Sequence, residues 1–157
     1  MWVPRLFGNL MRGYSSSSTM VLEKGHLLKL SRTFSESDVT QYSKLSFDSN
    51  PLHFDAVCAR DAGFEDRIVP GMLVASLFPR IIASHFPGAI YVSQTLQFKL
   101  PVYIEEEIKG VVQATNIRLI KNKYLAKFET KCFKDNGVLV IDGEASAILP
   151  TLTIEHV

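Results

Sequence analysis

The hydrophobic period of this chain changes from helical to alternating near residue 88, and that change restricts its fold more than any other feature. Pro70-Gly71 opens a stretch running from residue 72 to about 86. Leu73, Leu77, Ile81 and Ile82 mark one helical face of it, and Met72, Val74, Ala75 and Phe78 carry apolar character round the rest. A helix apolar on all sides is a buried helix. Pro79 lies inside it, lacks an N–H and crowds the preceding turn, so the helix should kink or divide. Beyond Pro87-Gly88 the pattern alternates, and residues 90–98, 107–119, 124–133 and 138–149 read as strands. Asn136-Gly137 is a strong hairpin turn signal and Asn122-Lys123 a weaker one. Pro101 should end or edge its strand. One buried helix followed by four antiparallel strands predicts an α+β fold, with the sheet wrapped around the helix.

Upstream, residues 25–34 read as an early strand. Ser35 and Asp38 resemble a capping box, with aspartate in place of the stronger glutamate, ahead of Val39, Tyr42 and Leu45. A short helix is expected there, with Tyr42 in the core and Asp48 just past the helix end. Residues 55–64 read as a further helical turn closed by Gly63.

Between these two helices lies Ser46-Phe47-Asp48-Ser49-Asn50-Pro51-Leu52-His53. A residue before proline is pushed out of the helical region. Asp48 and Asn50 can also bond back to nearby backbone. The segment therefore reads as a stiff loop that aims a carboxylate and an imidazole at one point. Taken alone, these residues are equally good turn chemistry.

The wider pattern Tyr42-x-x-Leu45-Ser46-x-Asp48-x-Asn50-Pro51-Leu52-His53 resembles the hydratase signature of the MaoC-like family, the (R)-specific enoyl-thioester hydratases and 3-hydroxyacyl-thioester dehydratases. The resemblance continues through Ile68-Val69-Pro70-Gly71-Met72-Leu73 and through Ser93-Gln94-Thr95-Leu96-Gln97-Phe98-Lys99-Leu100-Pro101-Val102, and covers roughly residues 25–150. It implies the hot-dog fold, with the antiparallel sheet wrapped around a long central helix, and a homodimer that continues the sheet across subunits. It also implies that Asp48 and His53 are catalytic and that Gly71 supplies an oxyanion donor. Two positions depart from the family pattern. Pro70 stands where histidine is frequent, and Phe47 where a small residue, commonly glycine, precedes the aspartate.

Dehydration of a 3-hydroxyacyl thioester needs a base for the proton beside the carbonyl, a proton source for the departing oxygen, and donors for the enolate-like oxygen. It needs no metal or organic cofactor. Asp48 and His53 divide the first two tasks; His53 moving the carbon-bound proton is the preferred assignment, and the reverse stays open. The backbone N–H of Gly71 opens a helix and is free to serve the third task, although a plain helix-start glycine has the same look. Asn50 organises the loop or a water, or is simply a turn residue. Met72, Leu73, Ser76 and Leu77 form the wall of an acyl tunnel or of the core. Arg60, Arg67, Arg80 and Lys99 are either contacts for a pantetheine phosphate or an acidic carrier protein, or solvated surface charges.

The leading expectation is thus a cofactor-independent lyase acting on a thioester of acyl carrier protein, with coenzyme A thioesters as the competing class. A thioesterase of the same fold commonly carries a carboxylate on or beside the central helix, and residues 71–86 contain no Asp or Glu. A non-catalytic acyl-binding subunit needs neither Asp48 nor His53. With 157 residues and a net charge of +1, one domain over residues 21–157 is expected, and no case for nucleic acid arises. No apolar run approaches membrane-spanning length. Cys58 and Cys132 lack metal or redox spacing, and His26, His53, His85 and His156 are scattered. Residues 1–20 hold Arg5, Arg12 and four consecutive serines, with no acidic residue. That composition predicts a mitochondrial transit peptide, with a disordered tail as the alternative.

Overall fold

The computed structural model describes residues 19–155; the expected transit peptide lies outside them, except for its last two positions. The elements in chain order are β1 (Leu27–Thr33), α1 (Glu36–Ser46), a 3-10 turn (Pro51–His53), α2 (Ala56–Asp61), α3 (Gly71–Ala75), α4 (Leu77–His85), β2 (Ile90–Gln94), β3 (Gln97–Phe98), β4 (Glu107–Ile120), β5 (Lys123–Lys134) and β6 (Leu139–Leu149). All pairings are antiparallel. The strand order is β1-β4-β5-β6-β2, and β3 also pairs with β6. One face of this sheet closes over α3 and α4, the wrapped sheet that the sequence pattern predicts and the hot-dog arrangement that the family resemblance implies.

The core sits between helix and sheet. Leu73, Val74, Leu77, Phe78, Ile81 and Ile82 are buried against Ile108 and Val112 of β4, Phe128 and Cys132 of β5, and Ala145 and Ala147 of β6. Each large side chain buried there stabilises the fold by about 1.5–3 kcal/mol. Burial pushes the Cys132 thiol up to about 12, so it stays protonated and inert.

The central helix is not continuous. Pro79 is the third residue of α4, and the helix divides at Ser76, one turn before it. Proline cannot donate to a carbonyl four residues back and its ring crowds that turn, which explains the position of the break. Burial is not all-round either: Met72 is 57% exposed, and Ser76 and Arg80 are also exposed.

The expected single strand over residues 90–98 is likewise two strands. The register slips between Tyr91 and Ser93, which turns both Tyr91 and Gln94 partly inward. The Tyr91 hydroxyl donates to Gln94 Oε1 at 2.6 Å, and Gln94 Nε2 donates to the fully buried Thr130 hydroxyl at 3.0 Å and to the Thr95 carbonyl at 2.6 Å. A chain bent to satisfy this polar group cannot run on as a straight strand. Burial also pushes the Tyr91 phenol up to about 12.

The capping box is present as expected. Ser35 accepts from the Asp38 N–H, and Asp38 accepts from the Ser35 N–H at 2.9 Å. That backbone donor, helped by Arg32 at 2.9 Å, holds the Asp38 carboxyl below its ordinary value. Tyr42 packs half-buried against the core, whereas Leu45, on the same helix, is 82% exposed.

Candidate active site

Helix α1 delivers the loop that carries Asp48 and His53. It ends at Ser46, and Phe47 adopts the left-handed conformation with φ 60°, reversing the chain. Non-glycine residues pay roughly 1–2 kcal/mol there, a cost that Phe47 carries. Phe47 also leaves its ring 89% exposed. The Asp48 N–H then donates to Ser46 Oγ, and the Asn50 N–H to Asp48 Oδ1 at 3.1 Å. Asn50 caps the 3-10 turn, its Oδ1 accepting from the Leu52 N–H. Asn50 is therefore the loop organiser through both its backbone and its side chain.

With one Asp48 oxygen tied to that turn, the other, Oδ2, faces His53 Nε2 at 3.7 Å. The opposite ring nitrogen, Nδ1, lies 2.8 Å from the Ile68 carbonyl. A carbonyl only accepts, so Nδ1 carries the hydrogen and a neutral His53 presents a bare lone pair at Nε2. Both groups across the gap are then acceptors, too far apart for a direct hydrogen bond. A molecule with two O–H donors, such as water, can donate to both from the open side. The His53 side chain is 8% exposed and the Asp48 side chain 42%, so solvent reaches the pair from the aspartate side.

Gly71 is the first residue of α3, and its N–H has no protein acceptor among the described residues. Since α3 has only five residues, this donor acts as a single N–H rather than as the end of a long macrodipole. Pro70 is buried and caps α3 with its carbonyl, which accepts from the Leu73 and Val74 N–H groups. The Phe98 ring lies directly over Gly71: a Cβ built there would meet Phe98 Cε1 at 2.6 Å.

A cavity of about 430 Å³ opens beside these residues, lined by Gly71, Met72, Ile68, Phe98, Phe64 and Lys99 among others. Asp48 and His53 do not line it. The link between cavity and pair is Ile68, which borders the cavity and whose carbonyl holds His53. Ser76 does not line it either; its hydroxyl donates to the Leu73 carbonyl at 2.5 Å. Leu73 and Leu77 are core. Of the four cations, Lys99 reaches the cavity while its ammonium donates to Gln97, and Arg67 pairs with Glu36 at 2.6 Å. Arg60 and Arg80 are exposed.

Sequence reasoning missed the roles of Phe98 and the Ile68 carbonyl. Both lie in the stretches 68–73 and 93–102, but nothing local in the sequence tells which residue contacts which. Among the described residues, no group of three or more His, Cys, Asp and Glu is placed to hold a metal ion, and no helix is long and apolar enough to cross a membrane.

Set against known proteins, residues 18–132 match the family model described as MaoC like domain. A mitochondrial 3-hydroxyacyl-(acyl-carrier-protein) dehydratase of Solanum lycopersicum is 64% identical over 156 residues, covering 99% of this chain and 94% of the relative. Its counterpart in Arabidopsis thaliana is 57% identical over 145 residues, 91% of this chain and 87% of the relative. The solved structure of the (R)-hydratase from Aeromonas caviae involved in PHA biosynthesis is 40% identical. It has a TM-score of 0.77 and covers 82% of this chain and 98% of its own.

Proposed function

The chain belongs to the MaoC-like domain family, and from that premise we propose that it is a (3R)-hydroxyacyl-thioester dehydratase, reversible as a trans-2-enoyl-thioester hydratase. Its substrate is an acyl thioester of acyl carrier protein, used in mitochondrial fatty-acid synthesis in the matrix, in keeping with the mitochondrial dehydratases it resembles at 64% and 57% identity. The observation that carries the chemistry is the pair of facing acceptors, Asp48 Oδ2 and His53 Nε2, 3.7 Å apart.

In the dehydration direction His53 Nε2 takes the proton from the carbon beside the thioester carbonyl. The imidazolium so formed faces the Asp48 carboxylate, which stabilises it. The carbon–oxygen bond of the next carbon breaks, and the departing hydroxyl needs one proton. That proton is the one His53 has just taken, given up to the hydroxyl held between Nε2 and the Asp48 carboxylate, so water leaves and the pair returns to its starting state. In reverse, a water held between the two groups adds its oxygen to the double bond. The Gly71 N–H donates to the carbonyl oxygen as negative charge develops on it, and the cavity bordered by Met72 and Phe98 takes the apolar part of the acyl chain. Ser76 shapes the helix break rather than touching substrate.

The subunit pairs with a second copy along β2. This is an edge strand whose Ile90 and Val92 are 51% and 55% exposed, and an open apolar edge is a template for another strand. A sedimentation mass of two chains is expected.

The direct test is the loss of enoyl absorbance on incubating a trans-2-enoyl thioester with the purified protein, without added metal or cofactor. Turnover is expected on the carrier-protein thioester. Absence of turnover on carrier-protein and coenzyme A thioesters alike would return the chain to the acyl-binding reading. Gly71→Ala should cost at least tenfold in kcat/KM with the fold retained, because the new methyl group displaces the Phe98 ring beside the oxyanion donor. Adding Phe98→Ala should recover part of that loss. No recovery would mean that the methyl group itself blocks the carbonyl.

A further inference from the structure

The net charge of +1 conceals a strong asymmetry. Between Glu107 and Glu129 there are five cations and no acidic residue, so the remainder of the chain carries −4. Four of the five, Arg118, Lys121, Lys123 and Lys127, lie on the distal half of the β4–β5 hairpin, around the turn Lys121-Asn122. None of the four takes part in an ion pair among the described residues. The acidic residue next along β5, Glu129, is bound to Lys131 at 2.7 Å. Arg118 and Lys127 border a recess of about 160 Å³ between the strands, with Asn116 and Leu125. Leu119, at the tip, is 66% exposed. A cluster of unpaired cations on an exposed hairpin matches an acidic protein surface better than it matches solvent.

We propose that this hairpin docks the acidic carrier protein that delivers the acyl thioester, and that it serves the active site of the other subunit. The proposal rests on the dehydratase reading and on pairing through β2. The hairpin cannot serve its own subunit's site. Ile68 bridges to Tyr103, just ahead of β4, so the site lies at the opening end of that strand. The tip is twelve residues beyond Ile108, roughly 40 Å away at about 3.3 Å per residue. Antiparallel β2–β2 pairing exchanges the ends. The Ile90 end of β2, cross-strand to Ile148 and through it to Leu125 of the hairpin, then faces the partner's Gln94 end. In each subunit that end runs through β3 to Phe98 and the cavity. With strands about 4.8 Å apart, the hairpin stands within roughly 15 Å of the partner subunit's β2.

The test uses the triple variant Arg118→Glu/Lys121→Glu/Lys123→Glu of the full chain, assayed with one enoyl group on acyl carrier protein and on neutral N-acetylcysteamine. The variant should lose at least tenfold in kcat/KM on the carrier thioester, mainly through KM. The wild-type dependence on salt should flatten, and the neutral thioester should turn over unchanged. Equal loss on both substrates, or none on the carrier thioester, would overturn the proposal. Loss of binding to anionic vesicles with carrier kinetics unchanged would assign the hairpin to a lipid surface instead. If wild type turns over the neutral thioester and rejects the carrier thioester, the carrier reading itself fails. The assignment in trans is read from hybrid dimers joining a hairpin-variant subunit to a His53→Gln subunit. Activity on the carrier thioester near half that of wild type is expected, and an inactive hybrid would place docking in cis.

Discussion

Asp48→Asn and His53→Gln should each lower turnover of a trans-2-enoyl thioester by about 100- to 10,000-fold, the usual loss on removing one well-placed acid or base. Asp48→Asn is the sharper probe. The amide keeps the size of the carboxylate and an oxygen that can still accept from the Asn50 N–H, so the loop persists. What disappears is the charge facing His53 Nε2 and the acceptor for the second O–H of the water. His53→Gln is less clean, because the ring is nearly buried and Nδ1–H satisfies the Ile68 carbonyl. Leaving that carbonyl unpaired would cost about 1–3 kcal/mol of stability. Circular dichroism and a melting curve must therefore accompany the kinetics. A folded Asp48→Asn variant keeping more than about a tenth of wild-type turnover would remove Asp48 from the chemistry.

Gly143→Ala should be the most damaging small substitution for the fold. A Cβ at this position would stand 1.9 Å from the Thr95 carbonyl oxygen and 3.2 Å from Gln94 Nε2. The obstacle is backbone, held in place because the Thr95 N–H donates to the Glu144 carbonyl at 2.8 Å and the Glu144 N–H to Thr95 Oγ1 at 3.0 Å. Moving it breaks both bonds and disturbs the Tyr91–Gln94–Thr130 chain. Over-packing of this kind costs at least roughly 1–3 kcal/mol, and in a chain of this size each kcal/mol lowers the midpoint by about 2–4 °C. A drop of about 5–10 °C in calorimetry is expected, whereas Gly137→Ala, with nothing within 4 Å of its Cβ, should lose only the roughly 1–2 kcal/mol of left-handed backbone strain that its φ of 81° imposes. Equal effects would mean that the β2–β3 crossing is softer than its hydrogen bonds imply.

The elements legible in the sequence are those whose cause is local. Ser35 and Asp38 announce a cap through three residues of spacing, Pro79 announces a break through its missing N–H, and Asn136-Gly137 announces a hairpin. Where the cause is distant, the reading slipped. The alternation of residues 90–98 continues through Thr95 and Leu96, yet the strand breaks there because the chain crosses Gly143. The β4–β5 turn falls on Lys121-Asn122, one residue before the expected pair, with Lys121 left-handed at φ 55°. Leu45 continues the apolar spacing of α1 and still faces solvent, because nothing in the described chain packs on that end of the helix.

The candidate site divides in the same way. The sequence by itself determined the stiff loop that carries Asp48, Asn50 and His53, the glycine at the helix start, and the change of hydrophobic period that wraps a sheet around a helix. Propensity, turn chemistry and periodicity act over a few residues and are written in order along the chain. Only the tertiary structure decided which ring nitrogen of His53 is left free to face Asp48, through the Ile68 carbonyl fifteen positions away. It alone laid Phe98 over Gly71, twenty-seven positions away. Such contacts depend on how separate segments pack against one core, and packing is a property of the folded whole that no local spacing records.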